Sequence, residues 1–238
     1  MPTLSWQNRA KGLASNLLNF IFPPRCASCN TLGFLLCADC YGRIQWLKEP
    51  LCPVCGRVLT EKKSLCHVCQ IRPLTLKQIR AATLFEDPIP KVIHNLKYNG
   101  HFALAEPLAE LMTHAWEQWQ TAVDLVIPIP LHQKREKDRG YNQSMLLARH
   151  FAKQHNLEIR NDVLQRIKNT TPQVDLNAVD RQKNMKQAFN LQSNEVKDRN
   201  ILLIDDVCTT GATIASAAEV LLNAGAKSVS GYCVARAM

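Results

Sequence analysis

Two adjacent carboxylates, Asp205 and Asp206, follow an apolar run and precede a small polar turn in the stretch ILLIDDVCTTGATIAS at 201–216. The apolar run predicts a buried strand of a parallel sheet, and the Ala-rich segment after the turn predicts a helix. We therefore expect both carboxylates at the carboxyl end of the strand, where such sheets bind ligands. Carboxylates accept hydrogen bonds from sugar hydroxyls, and the N–H groups that begin a helix hold phosphates. The stretch thus predicts a site for a sugar phosphate.

The turn itself has the composition that a phosphate cradle needs. Its glycine permits a tight turn with the backbone close to a ligand, and its hydroxyls add donors. The candidate cradle residues are Thr209, Thr210, Gly211, Ala212 and Thr213. A helix cap beside solvated acids is the alternative, but a cap does not explain two carboxylates at a strand end. The sequence contains neither G-x-x-x-x-G-K-[ST] nor G-x-G-x-x-G, which argues against nucleoside triphosphate and dinucleotide loops.

Eight of the ten cysteines form four C-x-x-C pairs in the first third of the chain. Each pair can grip one ion from a single tight turn, and zinc takes four ligands, so four pairs predict two closed, structural zinc sites. The predicted ligands are Cys26, Cys29, Cys37, Cys40, Cys52, Cys55, Cys66 and Cys69. We predict sequential pairing of the turns, while spacing alone leaves a crossed arrangement open. A disulfide framework and redox chemistry fit less well, because no export signal is evident and the spacers are short.

The net charge of +9 is concentrated near the N terminus. Residues 1–80 contain 11 Lys+Arg and 3 Asp+Glu, a balance of +8, which favours a polyanion such as nucleic acid. A basic face that is merely soluble remains the alternative. No apolar run approaches the roughly 18 residues of a membrane span, and the start does not resemble a secretory signal. We therefore expect a cytoplasmic protein without a membrane span.

Beyond about residue 80, strand and helix patterns alternate, which predicts an α/β fold with a mostly parallel sheet. The predicted organisation is an amphipathic helix at 1–24, a double zinc-binding module at 25–73 and an α/β domain at 80–238.

Several stretches resemble a known family. IDDVCTTGAT resembles the phosphoribosyl pyrophosphate (PRPP) loop of type I phosphoribosyltransferases. The stretches KVIHNLKYNG at 91–100, IPIPLHQKREKDRGYNQS at 127–144 and RIKNTTPQVDLNAVDRQKNMKQAF at 166–189 resemble conserved blocks of the ComF family, as do the four C-x-x-C pairs. The resemblance covers nearly the whole chain.

The resemblance implies a type I phosphoribosyltransferase-like fold that binds PRPP with Mg²⁺. It implies that Asp205 and Asp206 hold the ribose hydroxyls, that Thr209 to Thr213 hold the 5′-phosphate, and that a basic loop holds the pyrophosphate. The loop residues are Arg135, Lys137 and Arg139, and the residues of a mobile lid are Arg166, Gln173, Arg181 and Asn184. The candidate catalytic residues are Asp205, Asp206 and Arg139.

For function, the resemblance implies a competence factor that handles incoming single-stranded DNA in the cytoplasm during natural transformation, beside a competence helicase or recombination factor. The second hypothesis is an active phosphoribosyltransferase of nucleobase metabolism with purely structural zinc. The acceptor of the ribose, and whether transfer occurs at all, stay open. Because only 6% of the residues are aromatic, we expect DNA contacts to depend on backbone charge.

Overall fold

The computed structural model describes residues 23–61, 65–119, 121–168 and 188–238. The predicted amphipathic helix therefore lies, apart from its last two residues, outside the described ranges. The helices are α1 (Ala38–Gly42), α2 (His67–Ile71), α3 (Ile89–Tyr98), α4 (Ala105–Trp116), α5 (Gln133–Arg139), α6 (Gln143–His155) and α7 (Ala212–Asn223). The strands are β1 (Gln78–Leu84), β2 (Leu125–Pro128), β3 (Leu164–Arg166), β4 (Phe189–Leu191), β5 (Asn200–Cys208) and β6 (Ser228–Arg236).

Four strands form one parallel sheet in the order β1-β6-β5-β2, and β3 pairs with β4 in a small antiparallel ribbon. The central strands β5 and β6 are mostly buried because helices cover both faces of the sheet. The predicted α/β class with a mostly parallel sheet is confirmed.

Helices α3, α4 and α6 pack on one face of the sheet, and α7 packs on the other. On the first face Ile93, Leu108 and Phe151 lie in one buried cluster, and on the second face Ile214 and Ala218 lie in another. Helix α3 buries one stripe (Ile89, Val92, Ile93, Leu96). This amphipathic pattern is typical of a helix that lies on a sheet. The helix ends before Gly100, which adopts a positive φ of 67°.

The cysteine-rich module covers the outer edge of β1. Its backbone pairs with that strand through Leu47 N–H to the Ala82 carbonyl (3.1 Å) and Leu84 N–H to the Gln45 carbonyl (2.8 Å). Farther along the strand, the Ile79 N–H donates to the Val54 carbonyl at 2.6 Å. An unpaired sheet edge would be open to association with other chains, and here the module satisfies it. The module is therefore an integral part of the sheet.

Gly56 is the tightest point of this contact. It has a φ of 68°, and a Cβ at this position would lie 2.4 Å from the Ile79 carbonyl oxygen. Gly33 also has a positive φ, 95°, but a Cβ there would meet nothing within 4 Å. The two glycines share the left-handed backbone and differ in the space available beside it.

We predict that Gly56→Ala lowers the free energy of unfolding by at least about 2 kcal/mol, because backbone strain and overlap with β1 add. Gly33→Ala is the matched control and should lower it by about 1 kcal/mol from strain alone. Urea denaturation in excess zinc measures both values. If both variants lose the same free energy of unfolding, Gly56 does not lie in close contact with β1.

Candidate functional site

Asp205 and Asp206 lie where β5 extends beyond its neighbour β2. Strand β2 ends at Pro128, which is opposite Ile204, whereas β5 continues beside β6 as far as Cys208. The carboxylates lie near the carboxyl end of β5, and the strand continues for two residues beyond them, because Val207 and Cys208 still pair with β6. On the β2 side, however, the sheet stops just before Asp205. The carboxylates therefore face an opening at the carboxyl edge of the sheet, as expected for this type of fold.

The first turn of α6 contacts both carboxylates. Asp205 Oδ1 accepts a hydrogen bond from Ser144 Oγ at 2.9 Å, and Asp206 Oδ1 accepts one from Gln143 Nε2 at 3.4 Å. Asn142 caps this helix through its side chain, which accepts from the Ser144 N–H at 2.9 Å. The positive end of the helix dipole favours the negative charges that lie beside it. The sequence YNQS at 141–144 thus both begins α6 and orients the carboxylate pair.

Lys97, near the end of α3, forms an ion pair with Asp206. Burial and the neighbouring charge of Asp206 raise the pKa of Asp205 to about 8. Burial alone would also raise the pKa of Asp206, but the Lys97 ammonium outweighs it and lowers that pKa. At neutral pH the site therefore contains one carboxylate, one lysine ammonium and one largely protonated carboxyl group. Asp205 can then donate a hydrogen bond as well as accept one.

The polar turn after β5 leads into the start of α7, whose N-cap residue makes no side-chain hydrogen bond. Gly211 precedes α7 with a φ of 80° and provides no side-chain cap. Thr210 Oγ1 accepts only from the Ala212 N–H, at 3.3 Å, and Thr213 follows in the first turn of the helix. An uncapped helix start beside a turn with two threonines (Thr209 is exposed) is a site for an anion.

The predicted basic loop is a helix, α5, and this corrects the expectation. His132 Nδ1 accepts from the Lys134 N–H at its start, Gly140 ends it with a φ of 82°, and strong helix formers lie between. Arg135 and Arg139 are four residues apart and therefore share one face of the helix. Together with Lys97 they line a cavity of about 380 Å³. Lys137 is exposed on another side.

Of the predicted lid residues, only Arg166 falls within the described ranges; Gln173, Arg181 and Asn184 lie outside them. Arg166 ends β3 and bridges to His132, just before α5. Burial and the neighbouring Arg135 lower the pKa of Arg166, while Asp205 partly offsets this. Arg166 therefore belongs to the same electrostatic neighbourhood as the carboxylates.

The eight cysteines of the C-x-x-C pairs form two clusters of four, which confirms sequential pairing. Within each cluster the sulfur atoms lie within 4.8 Å of one another: Cys26, Cys29, Cys37 and Cys40 in one, and Cys52, Cys55, Cys66 and Cys69 in the other. Tetrahedral zinc with Zn–S bonds of about 2.3 Å places its sulfurs about 3.8 Å apart. Across the turns the Cys29–Cys37 and Cys55–Cys66 sulfurs are 3.5 Å apart, which fits two zinc ions.

Zinc loading changes the charge of the module. Four thiolates and one Zn²⁺ carry −2, so two loaded sites reduce the formal charge of residues 1–80 from +8 to +4. Part of the remaining charge is engaged nearby. Arg43 donates to Cys40 Sγ at 3.2 Å and to Asp87 at 2.9 Å, and Arg80 of β1 donates to the Cys52 carbonyl at 3.5 Å. These contacts connect the module to the start of α3 and to β1.

Comparison with known proteins agrees with this architecture. The model of the double zinc ribbon domain matches residues 17–70, and the model of the phosphoribosyl transferase domain matches residues 141–238. The fold and the two cysteine clusters therefore define a phosphoribosyltransferase-like protein with an N-terminal double zinc ribbon. More specifically, the chain belongs to the ComF family.

The relatives match over most of the chain. DNA utilization protein YhgH of Shigella flexneri is 31% identical over 208 residues, covering 85% of this chain and 91% of that protein. Competence protein F of Haemophilus influenzae is 29% identical over 232 residues, covering 93% of this chain and 100% of that protein. Among solved structures, glutamine PRPP amidotransferase from B. subtilis aligns with a TM-score of 0.40 at 14% identity, covering 58% of this chain and 30% of that one. Within the described ranges, no helix is both long and apolar enough to cross a membrane.

Lys97, Gln143 and Ser144 were not predicted as site residues. All three lie in stretches that were recognised as family blocks, KVIHNLKYNG and the end of IPIPLHQKREKDRGYNQS. The charge of Asp206 called for a cationic partner, but only the fold shows which of the many lysines lies next to it.

We predict that Lys97→Met lowers the free energy of unfolding at pH 7 by about 3 kcal/mol, because it leaves a buried carboxylate without its counter-charge. The double variant Lys97→Met/Asp206→Asn should recover much of this loss. Lys91→Met is the matched control. Lys91 lies on the same helix as Lys97 and forms an exposed ion pair with Asp87, so its loss should lower the free energy of unfolding by less than about 1 kcal/mol. If both single variants lose the same stability, the Lys97–Asp206 pair is not a buried constraint.

Proposed function

We propose that this protein is a cytoplasmic competence factor that handles incoming single-stranded DNA during natural transformation and whose phosphoribosyltransferase-like domain binds PRPP. The observation that carries the PRPP proposal is the uncapped start of α7 directly beside the buried carboxylate pair. The names of the relatives, a DNA utilization protein and a competence protein F, support the role with DNA. A competence helicase or recombination factor is the candidate protein partner.

The groups of the site match the parts of PRPP. The N–H groups at the start of α7 and the hydroxyls of Thr209, Thr210 and Thr213 suit the 5′-phosphate. A carboxylate beside a protonated carboxyl suits the two ribose hydroxyls, which both donate and accept hydrogen bonds.

The diphosphate of PRPP would lie towards α5. Arg135 and Arg139 share one face of that helix, and guanidinium groups form strong charge-assisted hydrogen bonds with phosphate oxygens. Mg²⁺ prefers phosphate and carboxylate oxygens and keeps several waters, so it would arrive with the diphosphate. When bound, it would neutralise negative charge on the leaving group. Asp206 would then exchange the Lys97 ammonium for contacts with the ligand.

We predict that PRPP with Mg²⁺ stabilises the zinc-loaded protein against thermal unfolding. At a ligand concentration of about 100 Kd the gain is about 2.7 kcal/mol. Asp205→Ala should weaken PRPP binding at least about tenfold, because it removes the whole carboxyl group that would hold a ribose hydroxyl. Glu219→Gln, an exposed change later on α7, is the control and should leave binding unchanged. Absence of stabilisation by PRPP would overturn this part of the proposal.

Pyrophosphate release distinguishes the second candidate function. An active phosphoribosyltransferase should release pyrophosphate from PRPP when a free nucleobase is added, and Asp205→Ala should abolish the release. The retained carboxylate pair is the feature that favours this alternative. Turnover of a free base by a protein without affinity for single-stranded DNA would establish the alternative in place of the competence role.

We also predict salt-dependent binding of single-stranded DNA. For a single strand, the slope of log K against log salt falls by about 0.7 for each phosphate contact that is lost. Replacing Arg25, Lys48 and Lys77, three exposed cations of the zinc module and its linker, by Gln should reduce the affinity and the slope. Lys153→Gln, an exposed change near the end of α6, is the control. An unchanged slope in the triple variant would exclude the module as the source of backbone contacts.

A further inference from the structure

Two exposed aromatic side chains lie beside the arginines of α5. Tyr98, the last residue of α3, is 65% exposed, and Phe102, in the 3-10 turn that follows, is 59% exposed. Neither ring belongs to the buried stripe of α3, so their exposure does not result from packing the core. Single exposed apolar residues are common, but here Tyr98 lines a cavity and Phe102 packs on Tyr141, which lines the same cavity, and this suggests a contact surface.

A third ring fixes this arrangement. Tyr141 packs edge-on against Phe102, with ring centroids 5.4 Å apart, and its hydroxyl donates to the Leu96 carbonyl of α3. Tyr141 and Tyr98 both line the 380 Å³ cavity between α3 and α5. The rings are therefore held by contacts with α3 on one side and with the start of α6 on the other.

Cationic groups lie directly against the rings. The Arg139 guanidinium lies over the Tyr98 ring, 5.1 Å from its centroid, and Arg135 lines the same cavity one helical turn away. Asp138 is the acidic residue at this cavity, so the cations outnumber it. Such an arrangement of arginines and open aromatic faces is typical of surfaces that bind both the phosphates and the bases of nucleic acids.

We propose that Tyr98, Phe102, Tyr141, Arg135 and Arg139, the aromatic–arginine patch, bind the bases and phosphates of single-stranded DNA. The two arginines would thus be shared, because a DNA phosphate and the diphosphate of PRPP would compete for them. PRPP has no aromatic group and provides no partner for the exposed rings. A free base would need an enclosed slot, whereas Tyr98 and Phe102 are open to solvent on most of their surface. The patch thus fits a flexible strand whose bases stack on the rings.

The zinc module extends this surface. Asn95, one turn before Tyr98 and Asn99, donates from Nδ2 to the carbonyl of Ala27 in the first zinc turn at 3.0 Å. Phe34, also in the first zinc site region, is 40% exposed. A strand could therefore pass from the first zinc turn along the end of α3 to the patch. This inference rests on the proposed role with single-stranded DNA and assigns its base contacts to the phosphoribosyltransferase-like domain.

The test measures the affinity of the full zinc-loaded chain for an oligothymidylate and for an abasic strand of the same length. In the variant Tyr98→Ala/Phe102→Ala, the affinity for oligothymidylate should fall at least about tenfold, because each stacked base contributes about 1–3 kcal/mol. The salt slope should stay unchanged, since no charge is lost. The wild type should bind the abasic strand more weakly than oligothymidylate. The variant should bind the two strands equally well.

Two further variants control for the ring and for exposed apolar area. Tyr98→Phe keeps the ring and should retain the affinity. Ile71→Ala removes an exposed apolar side chain (62% exposed) on the second zinc site and should have no effect. Stabilisation by PRPP should persist in Tyr98→Ala/Phe102→Ala; its loss would show that the substitutions reach the sugar phosphate site and would overturn the assignment.

The outcomes separate this inference from the proposed function. If the wild type does not bind either strand, the proposed role with DNA fails. If the wild type binds oligothymidylate and Tyr98→Ala/Phe102→Ala binds it equally well, the role stands and the aromatic–arginine patch is overturned. Equal losses for oligothymidylate and the abasic strand would also overturn it, because the rings would then not act on bases.

Discussion

The burial of two adjacent carboxylates beside the central strand is the constraint on which the arrangement of the site depends. Two negative charges in a partly desolvated opening would repel each other and destabilise the fold. Three features reduce that cost. Helix α3 provides the ammonium of Lys97, the start of α6 provides hydrogen bonds and its dipole, and one carboxyl group retains its proton. Because α3 and α6 meet at the carboxylates, Tyr98 at the end of α3 and Tyr141 just before α6 become neighbours of the same cavity. The contacts that stabilise the two carboxylates therefore also determine which aromatic side chains line the neighbouring cavity.

The zinc module contacts the site indirectly, through the edge strand β1. The second cysteine cluster holds Val54 and Gly56 against Ile79 of β1. Ile79 in turn packs against the turn before α7, since a Cβ on Gly211 would lie 2.8 Å from its Cδ1. The same residue thus contacts the zinc module and the turn before α7. Since the energy of metal binding is also folding energy, loss of zinc from the second cluster should loosen Ile79 and, through it, the start of α7. A structural metal can in this way support a ligand site to which it contributes no ligand.

Features set by local sequence were predictable, and features set by distant contacts were not. The alternation of strands and helices, the helix after the TTGAT turn and the cysteine clusters depend on periodicity or short spacing, and the structure confirms them. The pairing of Lys97 with Asp206 joins α3 to β5, and no local pattern singles out that lysine. The basic segment at 133–139 was expected as a loop from its resemblance, but its own capping residues make it a helix. That helix places Arg135 and Arg139 on one face, which a loop would not ensure.

The charge of the chain illustrates why composition alone misplaces a binding surface. The sequence count assigns +8 to residues 1–80, but it treats the cysteines as neutral, and zinc ligation halves the value. Arg43 and Arg80 are also engaged in contacts that join the module to the segment before α3 and to β1. Conversely, a low aromatic content of 6% argues against stacking only if the rings are scattered or buried. Here Tyr98 and Phe102 are exposed together, beside arginines. Backbone charge attracts any polyanion, whereas exposed rings select a strand whose bases are unpaired, so the rings are the more specific indication of single-stranded DNA.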